Sequence, residues 1–497
     1  MAYHAILETH DQPDPWQTPA STPSTEPEIG SQAVAFSPHT EPPPTPLRRR
    51  PVRVAIAWTL IILCTVAIMA MQAWASKMPP PPPTDASPGL DTVLFGRIAV
   101  GFERVLGQDD TGMLFSLDNQ TAMSPFSTTD RMRVAVVAGE LNGADDALER
   151  LEQLSDKNLS NGLEPAGDFL ADHDLLTRIY SDEAYVPTAQ ETQDLIQRHG
   201  WFGELAAGYN LPTNDALHQA PRSAATRTVF LIFAFVGLVI LAFLLGFGLF
   251  ITAIIFAAMG KLRAKFDPGA ISHSSAYLEL VAIFLVVFVA LQLLAVWVSP
   301  RVGFDLMLPM LGLMVLPVFW PMLCGVRTSQ YRKEMGLTAP KGLHREIGAG
   351  VLGYLAGLPI IFVGGLITIA VAYLTGMDSE HPAGREIITG GTYQIIVLVL
   401  ATVVWAPIVE ELVFRAAFYR HLRKLPGWVT WLVATLVTSF IFAAIHPQGI
   451  VGIPILMSIA FVLAGLRQWR GSLVAPMSAH ALHNGTIITF TIMLMYL

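Results

Sequence analysis

The chain has 497 residues, of which 52% are hydrophobic and 14% charged, with a formal net charge of −8 at pH 7 and a mean hydropathy of +0.48. So apolar a composition excludes an ordinary soluble protein of this length and, with long apolar runs, indicates a polytopic membrane protein. The acidic balance and the lack of a basic patch point away from nucleic acid. Cys64 and Cys324, both in apolar stretches, point away from a disulfide framework or a Cys-based metal site.

Residues 1–50 are rich in Pro, Thr, Ser and Glu and read as a disordered cytoplasmic tail. Arg48, Arg49, Arg50 and Arg53 then abut the apolar run 54–75 and place the N-terminus in the cytoplasm. Ala73-Trp74-Ala75 resembles a signal-peptidase site, but a run of about twenty apolar residues after a long tail favours a retained N-terminal transmembrane anchor. Pro79 to Pro83 form a short stiff linker.

Residues 77–227 are polar. Apolar residues spaced three and four apart at 132–154 and 188–207, with no alternating β pattern, predict a small helical extracytoplasmic domain. No catalytic motif lies in it; substrate capture, regulation and a passive role all remain open. From Thr228 the chain is nearly all apolar, with runs at about 228–259, 278–298, 306–326, 347–375, 393–420, 428–446, 450–466 and 473–496. With the anchor these make about nine spans, the first of the eight long enough, and glycine-bearing enough at Gly237, Gly246 and Gly248, to predict a tilt or kink. Lys261, Arg263, Lys265, Arg327, Arg332, Lys333, Lys341, Arg345, Arg420, Arg423, Lys424, Arg467 and Arg470 fall in predicted cytoplasmic loops, whereas Asp378, Glu380 and Glu386 fall in an outer one. The fold class is therefore all-α, a polytopic bundle.

Within the run 393–420, Glu410, Glu411 and Arg415 are charges that cost about 2.5–3.5 kcal/mol each at mid-membrane and need a partner or a task. Glu411 and Arg415, four apart, share a helix face and can pair. Glu410 is rotated about 100° away and left for chemistry. Phe442 and His446 close one later run, and His480, His483 and Asn484 lie in the last, with His480 and Asn484 on one face. At 1.5 Å per residue, Glu410, His446 and His480 lie roughly 24, 30 and 15 Å from their nearest predicted cytoplasmic turns, so tilts and a kink at Pro407 allow a shared site. Taken singly, the Glu411–Arg415 pair reads as structural and His446 as an interfacial histidine. His483 reads as packing or a supporting partner, and His421 and His344 as solvated loop residues. The coincidence of the three motifs carries the functional reading.

Glu-Glu-x-x-x-Arg at 410–415, Phe-x-x-x-His at 442–446 and His-x-x-x-Asn at 480–484, in that order on separate helices, resemble the CPBP family of intramembrane proteases. That family includes type II CAAX prenyl endopeptidases and bacteriocin-immunity relatives. The resemblance covers about 347–497, with the motifs in 393–497 of a membrane core at 228–497, and leaves tail, anchor and polar domain as additions. It implies an endopeptidase that hydrolyses a peptide bond of a membrane-associated protein or peptide. Glu410 would activate water, His446 orient it, His480 and Asn484 stabilise the oxyanion, and Glu411 and Arg415 hold the helix. Burial makes a carboxylate a stronger base, and preset donors favour a developing oxyanion, so the chemistry agrees. A Zn²⁺ held by Glu410, His446 and His480 is the metalloprotease alternative, against which the Asn and the lack of a His-Glu-x-x-His helix weigh. The expected setting is a multi-pass protein of the cell (inner) membrane, with a membrane-bound substrate and the lipid bilayer as partners. The rival readings are a non-proteolytic scaffold or immunity protein and a proton-coupled transporter, the latter weakened by the absence of an internal repeat.

Overall fold

The computed structural model describes residues 51–75, 90–107, 128–160, 167–266, 274–298, 307–377, 392–424 and 427–496. The predicted tail, the proline linker, the acidic loop at Asp378, Glu380 and Glu386 and the turn at Pro426 lie outside the described residues. Every regular element among the described residues is helical, as apolar surroundings demand of a backbone that must bond within its own segment.

The polar domain is built from α2 (Leu90–Leu106), α3 (Thr128–Asn142), α4 (Ala144–Ser160), α5 (Gly167–Ser181), α6 (Ala189–His199) and α7 (Trp201–Ala207). The segments 132–154 and 188–207 each hold two helices, divided where Gly143 (φ 96°) and Gly200 (φ 56°) take left-handed backbone that L side chains avoid. Thr188 and Glu191 form a reciprocal capping box that starts α6. Val100, Val137, Leu151, Leu176, Leu195 and Phe202 are among the buried side chains that give this domain its own core.

Asp172 is buried and accepts from Arg198 Nε at 2.9 Å and His199 Nε2 at 3.0 Å. Burial alone would raise its pKa, but the hydrogen bonds from His199 and Arg198 outweigh it and hold the carboxyl below the usual range.

No break marks the predicted boundary at 227–228. Helix α8 (Ala216–Ala258) runs 43 residues, beginning inside the polar domain, where Arg222 donates to Glu140 at 2.6 Å, and ending in the membrane core. Beyond residue 227 the helix still rises about 46 Å, more than the roughly 30 Å of a bilayer's hydrocarbon, so a tilt or kink stays the expectation. Gly246 has another use: a Cβ there would stand 2.2 Å from the Leu355 carbonyl, so its absence lets two helices touch.

The membrane core comprises α1 (Pro51–Ala75), the lower part of α8, α9 (Ser274–Val298), α10 (Leu308–Leu323), α11 (Thr328–Met335), α12 (Leu343–Thr375), α13 (Thr392–Leu422), α14 (Trp428–Ala444), α15 (Gly449–Arg470) and α16 (Val474–Tyr496). Among the described residues, six helices are long and apolar enough to cross a membrane, and α10 with α11, bent by 116°, makes a seventh span if the pair is counted as one. Such a set marks an integral multi-pass membrane protein. The expected nine segments are all helical, but α14 has only 17 residues and the hydropathy of α16 is lowered by His480, His483 and Asn484.

Helix α1, the expected N-terminal anchor, packs on the rest of the membrane core: Ala57, Ile61 and Ile68 are buried with Leu278, Val281 and Leu285 of α9, and Trp58 lies against Phe418 and His421. Of the basic residues placed in cytoplasmic loops, Arg420, Arg423, Arg467 and Arg470 are buried, whereas Lys261, Arg263, Lys265, Arg327, Arg332, Lys333, Lys341 and Arg345 are exposed. Helices α13 and α15 extend past their apolar runs, and their last turns place cations against carbonyl ends and carboxylates. Arg470 grips Glu346 with two bonds at 2.8 and 2.6 Å. Arg420 and Arg467 donate to the Glu334 carbonyl at 3.2 and 3.4 Å, and Tyr277 donates to the Glu334 carboxylate at 2.5 Å. His421 is likewise buried, on α13 beside Trp58 and Lys424, whereas His344 is exposed as expected.

Candidate active site

Helix α13 is not a regular α-helix. Its ladder widens to five-residue bonds over Ala401–Trp405 and again over Leu412–Phe418, on either side of Ala406–Glu411. Such π turns recur at functional sites because they re-aim side chains and release carbonyls. In the first of them Ala406 N–H bonds Ala401 O, so the next rung would join residue 407 to Thr402. Residue 407 is proline and has no N–H. The Thr402 carbonyl accepts instead from Asn484 Nδ2 at 2.9 Å, which ties α16 to α13.

The two adjacent carboxylates have different surroundings. Glu411 is fully buried; its Oε1 accepts from Arg415 Nη1 at 2.8 Å and from His480 Nδ1 at 3.1 Å. Arg415, also fully buried, donates to Ala460 O at 3.3 Å and stands 4.4 Å over the Phe442 ring. Glu410 keeps 19% of its side chain exposed, yet its Oε2 is buried without a hydrogen-bond partner. His446 Nε2 lies 3.9 Å from that oxygen and His480 Nε2 3.7 Å from it.

The orientation of both rings is set from behind. His446 follows the end of α14, and its Nδ1 lies 2.5 Å from the Phe442 carbonyl, which can only accept; Nδ1 therefore carries the proton and Nε2 faces Glu410. His480, on α16, has Nδ1 against Glu411 and so also turns Nε2 toward Glu410. Phe442 packs on the rings of His446, His480 and Phe414 at 4.4, 6.0 and 5.2 Å between centroids, a plate that fixes the cluster from one side.

The structure thus brings Glu410, Glu411, Arg415, His446 and His480 together. Asn484 sits one turn beyond His480, with an amide N–H committed to Thr402, and His483 faces away, bonded to Tyr354 at 3.1 Å. The sequence reading did not find Gln72, whose Nε2 donates to the His446 carbonyl at 2.6 Å. It is the single amide side chain of α1, the signal that was there to be read. Phe442 was noticed as part of a motif, without its role as a plate.

Residues 392–486 match the family model of Rce1-like type II CAAX prenyl endopeptidases. The Rce1-like segment contains Glu410, Glu411, Arg415, His446, His480 and Asn484, so the match and the cluster coincide. The match is to a type of CPBP intramembrane peptidase; α1, the polar domain and α8 to α12 lie outside it. No curated protein and no solved structure matches the chain.

The metal alternative can be tested on the donors. Among the described residues, no group of three or more His, Cys, Asp or Glu side chains is arranged to hold a metal ion. As they stand, Glu410, His446 and His480 are not such a group.

Proposed function

We propose that the chain is an intramembrane endopeptidase that hydrolyses a peptide bond of a membrane-associated protein or peptide, with Glu410 as general base. The observation that carries this reading is the buried, unpartnered Glu410 Oε2 flanked by two histidine nitrogens at 3.7 and 3.9 Å. Those separations are too long for direct hydrogen bonds and suit a water between the groups. Glu410 takes one proton from that water as its oxygen attacks the scissile carbonyl carbon, with His446 Nε2 accepting the other hydrogen and fixing the attack line. The carbonyl π electrons move to oxygen, where His480, when its Nε2 carries a proton, and the second amide hydrogen of Asn484 stabilise the charge. As the tetrahedral adduct collapses, the C–N bond breaks and Glu410 returns the proton to the departing amine. Glu411 and Arg415 neutralise each other behind the site and hold His480. The arginines before α1 place the N-terminus in the cytoplasm and the polar domain outside.

The test is cleavage of a membrane-peptide library, including prenylated CAAX peptides, by purified wild type and Glu410→Gln, each with and without a zinc chelator. Products from wild type alone, unchanged by chelator, are expected. Equal behaviour of the two proteins would overturn the reading, and chelator-sensitive cleavage restored by Zn²⁺ would overturn the metal-free chemistry.

A further inference from the structure

Helix α1 lies outside the Rce1-like segment, yet one of its side chains reaches the site. Gln72 stands one turn from the end of a helix otherwise made of apolar residues, threonines and Arg53, and donates from Nε2 to the backbone carbonyl of His446 at 2.6 Å across 374 residues of sequence. That carbonyl belongs to the turn that ends α14, where helix geometry leaves oxygens without intrahelical donors. Its other partner, Gly449 N–H, is 3.4 Å away and weak. The His446 ring is held from the α14 side by Phe442 O, and the backbone from which it projects is held from the α1 side by Gln72. Both residues are half-buried, and a bond this short favours one position of the turn.

Resting on the endopeptidase reading above, we infer that Gln72 is a positioning residue for His446, and that the hydrolytic site is completed by α1, a helix that the Rce1-like segment does not include. The bond fixes the height of His446 relative to Glu410, and with it the line along which water is presented. A misplacement well under 1 Å there is a rate effect and not a binding effect.

The experiment compares full-length wild type, Gln72→Met, which keeps length and removes the donor, and Arg53→Gln, which removes the half-exposed ion pair of the same helix with Glu279. Gln72→Asn, which keeps the amide but shortens its reach, serves if Gln72→Met accumulates poorly. Two readouts are taken: kcat and KM on a cleaved peptide, and the ¹⁵N signals of the His446 ring, assigned by their loss in His446→Gln. Gln72→Met is expected to lower kcat about 10- to 100-fold with KM nearly unchanged. It should also move the His446 nitrogen signals from a single tautomer toward exchange, while Arg53→Gln alters neither. The inference is overturned if the His446 signals of Gln72→Met match wild type, or if only KM and abundance change. The ring signals need no substrate, so a chain that cleaves nothing would sink the endopeptidase reading while the NMR arm still decides the role of Gln72.

Discussion

Arg415 donates to Glu411 at 2.8 Å with neither side chain exposed to solvent, inside a helix whose next carboxylate, Glu410, keeps a buried oxygen unpartnered. The pair and the free group make different demands on the fold. Removing one member of a buried pair strands the other, at about 3–5 kcal/mol. Arg415→Ala should therefore reduce the amount of folded protein recovered from membranes. Glu410→Gln should leave abundance and melting temperature unchanged and lower cleavage about 10²–10⁴-fold. Comparable losses of folded protein in both variants would refute this division.

Asn484 and Pro407 are linked through the Thr402 carbonyl, and a double-mutant cycle measures the link. Asn484→Ala should cost about 1–3 kcal/mol by leaving that carbonyl unsatisfied. In a Pro407→Ala background the new N–H at residue 407 supplies the missing rung, and Asn484→Ala should then cost about 1 kcal/mol less. Additive effects in thermal melts in detergent would show that the carbonyl is satisfied some other way.

Glu346 and Arg470 are joined by two bonds in a buried, planar fork. Arg470→Lys retains the charge and loses the fork. It should lower the melting temperature by several degrees, and Arg470→Ala by more. If Arg470→Lys melts with wild type, the fork contributes nothing beyond its charge.

Gly246 and Gly237 sit in one helix and differ in what an added methyl would meet. At Gly246 it meets the Leu355 carbonyl at 2.2 Å; at Gly237 nothing stands within 4 Å. Gly246→Ala should destabilise by about 1–3 kcal/mol through helix separation. Gly237→Ala should be neutral or stabilise by up to about 1 kcal/mol. The opposite ranking in detergent melts would show that α8 and α12 do not rely on this contact.

Asp172 gives the polar domain an acid limit. Its pKa is lower folded than unfolded, so its stabilisation is complete above the ordinary carboxylate value of 3.8 and is lost as pH falls through the folded value. Wild type should therefore lose more stability below about pH 4 than Asp172→Asn, which lacks this ionisation. At pH 7 Asp172→Asn should already be less stable, because Arg198 and His199 lose a charged acceptor. Parallel stability curves for the two proteins would exclude Asp172 as a source of the acid limit.

The positions of the membrane helices were legible in the sequence, because a span needs an uninterrupted apolar run and little else has one. The pairing of Glu411 with Arg415 was legible too, since four-residue spacing survives the change from α to π ladder. The convergence of Glu410, His446 and His480 followed from motif order and depth. What escaped depended on backbone register or on distant partners. Pro407 announces a missing N–H but not the five-residue ladder that directs the vacancy to Thr402 and so to Asn484. Gln72 and His446 are 374 residues apart, and no local pattern joins them. The basic residues near Arg420 and Arg467 read only as cytoplasmic loops, because charge density alone does not show that Glu334 and Glu346 will receive them.

The shortness of α14 has a consequence for where the chemistry can occur. Its 17 residues rise about 25 Å, less than the roughly 30 Å of a bilayer's hydrocarbon. With Trp428 at one boundary of the hydrocarbon, the turn that carries His446 would stop about 5 Å short of the other. Bilayer thickness becomes a determinant of hydration at Glu410: short-chain lipids bring the interface down to the histidine, whereas long-chain lipids bury it further. Acyl-chain length is thus a control variable for this site, as substrate concentration is for a soluble enzyme.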